Sequence, residues 1–363
     1  MYMPPAPIPV SIVTGFLGAG KSTLLNRLLQ DPALSDAAVI INEFGEVGID
    51  HLLVQGSSDS IIELSNGCLC CTVRGELIDT LADLLDRIQT EKVKPVSRVI
   101  IETTGLADPV PVLLAIMAHP AIAMAFRIDG VVTLVDALTG ADTLARHDEA
   151  VRQAAVADRL VITKTDLAAS ADRDDLVRTL ERLNPMAEII DVADAPASGP
   201  DLLVTGLFDP ARKAPSVGEW LAAEDHQHSH HHHHDVNRHG EHIRAFALTA
   251  GRVASPAAIE AFQHRLAAEY GDNLLRLKGV VALSGDDRPL VVHGVRDMVY
   301  PPSRLAAQSG AESEQTRLVV ITRDLPETVV RELFETYLDR PGIDRPDRAA
   351  LDDNPLSAFG FKA

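Results

Sequence analysis

Short apolar runs rich in Val and Ile alternate with helical periods through the first two hundred residues of the chain. The runs at 10–14, 37–42, 97–102, 130–135, 160–163 and 187–192 are predicted as strands. They lack the in-out alternation of a half-exposed sheet, as expected for parallel strands covered on both faces. Among the helical periods, 76–88 is the clearest, because Leu77, Leu81, Leu84, Leu85 and Ile88 share one face. The stretch 110–126 is the most apolar, but Pro111, His119 and Pro120 interrupt it, so it reads as buried helix and loop rather than a membrane span. The pattern predicts a doubly wound α/β fold with a mostly parallel sheet.

The periodicity breaks at 196–215, which is rich in Pro, Gly and Asp, and a polar run dominated by histidine follows at 224–242. Regular patterning resumes with predicted strands at 243–249, 275–283, 289–294 and 317–322. A helix is predicted at 255–270, with Ser255 as N-cap and Pro256 in the first turn, and an amphipathic helix at 325–338. This makes a smaller α+β unit. The expected organisation is a first domain at 1–205, a His-rich linker at 206–242, an α+β domain at 243–340 and a loose tail at 341–363.

Composition narrows the function. A net charge of -19 argues against nucleic acid and anionic membrane surfaces, both of which call for a basic face. The N-terminus shows no basic region followed by an apolar one, so a cytoplasmic location is expected. All three cysteines, Cys68, Cys70 and Cys71, lie within four positions, which suits thiolates held for metal better than a disulfide framework.

Gly15-Phe16-Leu17-Gly18-Ala19-Gly20-Lys21-Ser22 fits GxxxxGK[ST] between a predicted strand and a predicted helix. Gly15, Gly18, Ala19, Gly20, Lys21, Ser22 and Thr23 are the expected phosphate-binding residues, with backbone N–H groups closing around phosphates at the helix N-terminus. Lys21 would reach the β- and γ-phosphates, and the Ser22 hydroxyl would ligate Mg²⁺. Glu102 ends an apolar strand, where an acid suits Mg²⁺ directly or through water, and Gly105 can bring its N–H to the γ-phosphate. In Thr163-Lys164-Thr165-Asp166, Asp166 could accept from the N1–H and N2–H₂ edge of guanine, a donor pair adenine lacks, while the stem of Lys164 lies over the base. GTP is therefore the expected nucleotide. Asp166 and the cysteines speak against a P-loop kinase acting on a small molecule.

Cys68, Cys70 and Cys71 can share one Zn²⁺ or another thiophilic ion, leaving one tetrahedral position for Glu43, Glu46, water or a partner's ligand. The polar loop 41–50 between the P-loop and the cysteines has the make-up of a segment that changes shape with the γ-phosphate. His226, His228, His230, His231, His232, His233 and His234 form an auxiliary set for Zn²⁺, Ni²⁺, Co²⁺ or Cu²⁺, against the alternative of an inert linker of biased composition. His51, His119 and His147 are scattered and read as structural or surface residues.

Taken together, GFLGAGKST, INEFGEVGID, NGCLCC, IIETTGLADP and TKTD resemble the CobW-like metallochaperone GTPases of the SIMIBI branch of P-loop proteins, and most of all their YjiA group. The resemblance runs over nearly the whole chain. It implies slow GTP hydrolysis coupled to loading and release of a transition metal, with Lys21, Ser22 and Glu102 in the catalytic machinery. Phosphates and Mg²⁺ would be held by Gly20, Lys21, Ser22 and Thr23. It implies that Lys164 and Asp166 read the base and that Cys68, Cys70 and Cys71 form a CxCC metal site. Zinc is the default metal, with Co²⁺ or Fe²⁺ as alternatives. The partner implied is a client metalloprotein, docking on the C-terminal domain, and a homodimer is compatible. The competing readings are a metal buffer or sensor that uses GTP only as a conformational ligand, and a cobalt carrier for corrin synthesis.

Overall fold

The computed structural model describes residues 6–42, 61–63, 72–193, 200–203, 242–305 and 315–339. The first part is a seven-stranded, wholly parallel sheet with strand order β3-β2-β4-β1-β5-β6-β7. Its strands are β1 (Ile8–Gly15), β2 (Ala37–Asn42), β3 (Ile61–Glu63), β4 (Arg98–Thr103), β5 (Phe126–Asp136), β6 (Arg159–Thr163) and β7 (Glu188–Asp191). Helices α1 (Lys21–Leu29), α2 (Thr72–Gln89), α3 (Val110–Ala118), α4 (Pro120–Ala125), α5 (Gly140–Arg146), α6 (Asp148–Ala155), α7 (Ser170–Leu183) and the short α8 (Pro200–Leu203) lie between and after them. Separate apolar clusters cover the two faces. One joins Leu77, Leu81 and Leu84 of α2 to Val10, Ile12, Val99 and Ile101. The other joins Leu24, Leu25 and Leu28 of α1 to Val13, Val39, Ile100 and Val132.

Several elements differ from the sequence expectation for physical reasons. β5 begins at Phe126, not at Gly130, because Arg127 and Asp129 hide its start in the pattern. Asp129 is nonetheless 2% exposed, and Arg98 neutralises it with a 2.5 Å hydrogen bond while also donating to Ser11 Oγ at 2.7 Å. The apolar stretch is two helices, since His119 turns out of the first and accepts from Ile122 N–H at the start of the second. β3 adds a seventh strand at the edge, too short for its period to register.

The second part is a six-stranded antiparallel sheet, β11-β10-β9-β13-β8 with β12 on β10. Its strands are β8 (Ile243–Ala250), β9 (Leu274–Leu283), β10 (Asp286–Val295), β11 (Met298–Val299), β12 (Ser303–Arg304) and β13 (Thr316–Arg323). One face carries α9 (Pro256–Tyr270) and α10 (Glu327–Phe334), with Phe262 edge-on to Phe334 at 5.5 Å. Ser255 stands at the N-cap of α9 without a side-chain cap hydrogen bond. The helix expected from Leu325 starts after Pro326, because a residue preceding proline is disfavoured from helical backbone, and past Phe334 it widens into a π-turn, Glu335–Asp339.

The other face of this sheet packs on the first part. Leu275, Val319 and Ile321 cluster with Ala155 of α6. At the same seam Asp158 accepts Val131 N–H at 3.0 Å and pairs with Arg276 and Lys278. The Asp158 and Arg276 side chains are only 2% and 5% exposed. Burial pushes Lys278 below its ordinary value, and the Asp158 carboxylate opposes that. Arg276 also donates to Val156 O at 2.6 Å.

Removing one partner of such a pair leaves a buried charge uncompensated. Asp158→Ala should therefore destabilise the protein by about 3–5 kcal/mol, read as a lower urea midpoint at neutral pH. A loss below about 0.5 kcal/mol would mean that the seam behaves like a solvated surface pair.

Candidate nucleotide site

The carboxyl ends of β1, β4, β5 and β6 converge on one edge of the parallel sheet, the place where open α/β folds form their binding crevice. The loop from β1 into α1 is built on left-handed backbone. Gly15, Gly18 and Gly20 have φ of 144°, 78° and 92°. A Cβ on Gly15 would stand 2.5 Å from Leu134 O, so no other residue fits there without movement. Ala19 N–H donates to Phe16 O at 3.1 Å, and the helix ladder begins with Leu24 N–H to Gly20 O at 3.0 Å. The first-turn N–H groups of α1 thus have no intrahelical acceptor and are suited to an anion.

Lys21 opens α1 and is buried, with its Nζ donating to Gly15 O at 2.8 Å and to Phe16 O at 3.4 Å. The ammonium therefore lies folded over the loop. Ser22 is half-buried and Thr23 exposed beside it. Across the crevice, Glu102 on β4 is 4% exposed, and Thr103 Oγ1 ties β4 to β1 through Thr14 Oγ1 at 2.7 Å. A serine hydroxyl and a buried carboxylate form an all-oxygen donor set, which fits a hard cation such as Mg²⁺. Gly105 presses on the P-loop: a Cβ there would come within 2.6 Å of Leu17 N.

Thr163 Oγ1 donates to Ala19 O at 2.8 Å, joining the end of β6 to the P-loop. Lys164 adopts φ of 56°, and its Nζ donates to Asp136 Oδ2 at 2.6 Å. Thr165 Oγ1 donates to Asp191 Oδ1 at 2.7 Å, and Asp166 stays exposed. Asp136 and Asp191 escaped the sequence reading because each acts at long range on a loop far along the chain. Their position at the ends of β5 and β7 was the available signal. Burial pushes the Asp136 carboxyl up, but the Lys164 ammonium and the Leu138 and Thr139 N–H groups outweigh it, so Asp136 is held below its ordinary value. Phe16 stacks on His147 with ring centroids 4.6 Å apart, which gives His147 a structural place. Leu17, Leu106, Leu138 and Leu167 each follow one of the four strand ends and are more than half exposed, forming an apolar rim.

Glu43, Cys68, Cys70, Cys71, the loop 43–50, the break and His-rich run at 204–241 and the tail at 340–363 lie outside the described residues. Among the described residues no group of three or more His, Cys, Asp or Glu is placed to hold a metal, and no helix is long and apolar enough to cross a membrane.

Residues 9–191 match the family model for the CobW/HypB/UreG nucleotide-binding domain, and residues 243–338 match that for the cobalamin synthesis protein cobW C-terminal domain. The chain belongs to the CobW/HypB/UreG family. It is 31% identical over 328 residues to the zinc chaperone YjiA of Escherichia coli K12, covering 90% of this chain and 98% of that one. It is 34% identical over 361 residues to the zinc chaperone CobW of a Sinorhizobium species, covering 89% and 95%. The crystal structure of the Zn(II)-bound YjiA GTPase from E. coli superposes with a TM-score of 0.68 at 27% identity, covering 92% and 99%. These likenesses span both sheets, so the described residues share the architecture of a parallel P-loop sheet followed by an antiparallel α+β part.

The Lys164–Asp136 pair has a defined pH signature. Because the folded pKa of Asp136 is lowered, its stabilisation is complete above the ordinary aspartate value of 3.8 and is lost as pH falls through the lower folded value. The difference in Tm between the protein and Asp136→Asn should therefore stay constant from about pH 5 to 8 and close below 3.8. A gap that widened on acidification would show that the carboxyl is protonated in the native state.

Proposed function

We propose that this chain is a GTP-hydrolysing metallochaperone that holds a transition metal, zinc above all, at Cys68, Cys70 and Cys71 and passes it to a client metalloprotein. The observation that carries the reading is the convergence of Lys21, Ser22, Glu102, Gly105 and Thr163–Asp166 at neighbouring strand ends of one parallel sheet. Similarity over nearly full length to two zinc chaperones supports the metal half of it.

GTP would lie with its phosphates on the first-turn N–H groups of α1 and its guanine edge on Asp166. Binding would draw the Lys21 ammonium from the Gly15 and Phe16 carbonyls to the β- and γ-phosphates. Water then forms a bond to the γ-phosphorus as the bond to the β–γ bridging oxygen breaks, and GDP leaves with the charge of that oxygen. The loop N–H groups stabilise this charge without reorganising, since the backbone that carries them is already fixed, and Lys21 adds its charge from the position it took on binding. When bound, Mg²⁺ neutralises charge on the phosphate oxygens, and Ser22 and Glu102 are the residues that would hold it. In the chain, Cys71 directly precedes α2 and the loop 43–50 follows β2, so the metal loop is tethered to the same sheet as the nucleotide. A change in the γ-phosphate can therefore alter the thiolate geometry. The His-rich run would act as an auxiliary metal reservoir.

Three measurements test this. Lys21→Ala should abolish GTP hydrolysis. Asp166→Ala should erase a preference for GTP over ATP of about 100-fold or more, because the donors of guanine would go unpaired. Zinc affinity, measured by chelator competition in a variant lacking His226–His234, should differ about tenfold between GDP and a non-hydrolysable GTP analogue. Equal affinities in the two states would replace the chaperone reading with that of a GTP-binding metal buffer.

A further inference from the structure

We propose that Gln153 positions the loop after β4 and that α6 carries the position of that loop to the second sheet, so that the C-terminal part of the molecule reads the γ-phosphate. This rests on the GTP reading above.

Gln153 lies in α6 and is 1% exposed. Its Nε2 donates to two carbonyls of the loop, Gly105 O at 3.1 Å and Ala107 O at 2.9 Å. Two carbonyl acceptors settle which end of the amide faces the loop, since only the NH₂ can donate. On its backbone side, Gln153 O accepts from Thr133 Oγ1 at 2.8 Å, so the residue is also fastened to β5, next to the central strand β1. Its Oε1 is buried with no hydrogen-bond partner among the described residues. An unpaired buried acceptor costs stability that an apolar side chain of the same size would not. A residue needed only for packing has no reason to be glutamine here. One that must hold two carbonyls has.

The loop it holds is tight. Gly105 backbone lies against Leu17 of the P-loop with no room for a Cβ, and Ala107 N–H closes a turn on Thr104 O at 3.0 Å. If a γ-phosphate draws the Gly105 N–H, the Gly105 and Ala107 carbonyls turn with it, and the amide of Gln153 follows or loses them.

α6 is then tied to the second sheet at both ends. Asp148 in its first turn pairs with Arg323 of β13 at 2.6 Å. Beyond its last turn, Val156 O accepts from Arg276 of β9 at 2.6 Å, and Asp158 pairs with Arg276 and Lys278. Asn184 Nδ2 donates to Ala154, Ala155 and Ala157 carbonyls at 2.9, 3.1 and 2.9 Å, which keeps the helix end stiff. A short helix with its last turn on the loop after β4, its first turn on β13 and the residues just past its end on β9 moves as one body. Gln153 is thus a positioning residue, with no contact to the reacting atoms required.

The test compares the full chain with Gln153→Met, which keeps the length and removes the donor. Affinities for GDP and for a non-hydrolysable GTP analogue are measured with Mg²⁺, and amide hydrogen exchange is followed along 274–283 in both states. In the variant, analogue affinity should fall about tenfold, or about 1.4 kcal/mol, while GDP affinity changes by less than about twofold. Exchange along 274–283 should differ between the two nucleotides in the unaltered protein and not in the variant. An equal loss for both nucleotides, or an unchanged ratio, overturns the role of Gln153. Identical exchange in both states of the unaltered protein overturns the relay, and that comparison decides alone if the variant fails to fold. If the unaltered protein binds neither nucleotide, the GTP reading itself falls, and this inference with it.

Discussion

The Asp158 carboxylate takes a backbone hydrogen bond from Val131 in the first sheet and ion pairs from Arg276 and Lys278 in the second. An isolated charge in that position would be prohibitively costly, so each sheet supplies what the other's buried group requires. Apolar contact alone, through Ala155, Leu275, Val319 and Ile321, would let the two parts slide. A carboxylate pinned by directional partners permits one register. The interface is therefore specific, and the ends of α6 inherit that specificity.

The same logic of satisfied polar groups organises the crevice. Lys21 at the start of α1 donates to the Gly15 carbonyl, Thr163 at the end of β6 donates to the Ala19 carbonyl, and Asp136 at the end of β5 accepts from Lys164, so all three polar side chains are largely buried yet paired. Thr163 ties β6 to the P-loop, Lys164 ties β6 to β5, and Thr165 ties it to β7. Each strand end is thus braced sideways, so a ligand would meet a surface that is already formed. Preorganisation of this kind is what makes fixed dipoles effective on developing charge.

Much of this was legible in one dimension. Buried parallel strands announce themselves as uninterrupted apolar runs, and the predicted runs at 10–14, 37–42 and 160–163 coincide with β1, β2 and β6 to within a few residues. The phosphate loop is local chemistry, since a turn demanding positive φ at Gly15, Gly18 and Gly20 can be seen from the glycines themselves. What escaped were polar residues whose partners are distant. Asp129 broke the apolar pattern of β5 because its neutralising Arg98 lies 31 positions away. Gln153 looked like one more polar position on a helix, and its contact with Gly105 spans 48 positions.

The sequence by itself therefore determined the sheet type, the nucleotide loop and the family, because each follows from period, backbone conformation or a short contiguous motif. Tertiary structure alone decided which charges are buried in pairs, that Asp136 holds Lys164, and that α6 joins the Gly105 loop to the second sheet. The physical reason is range. A hydrogen bond or an ion pair is specified by distances of a few ångströms, and residues 120 positions apart, such as Arg276 and Val156, come that close only once both sheets have folded and packed.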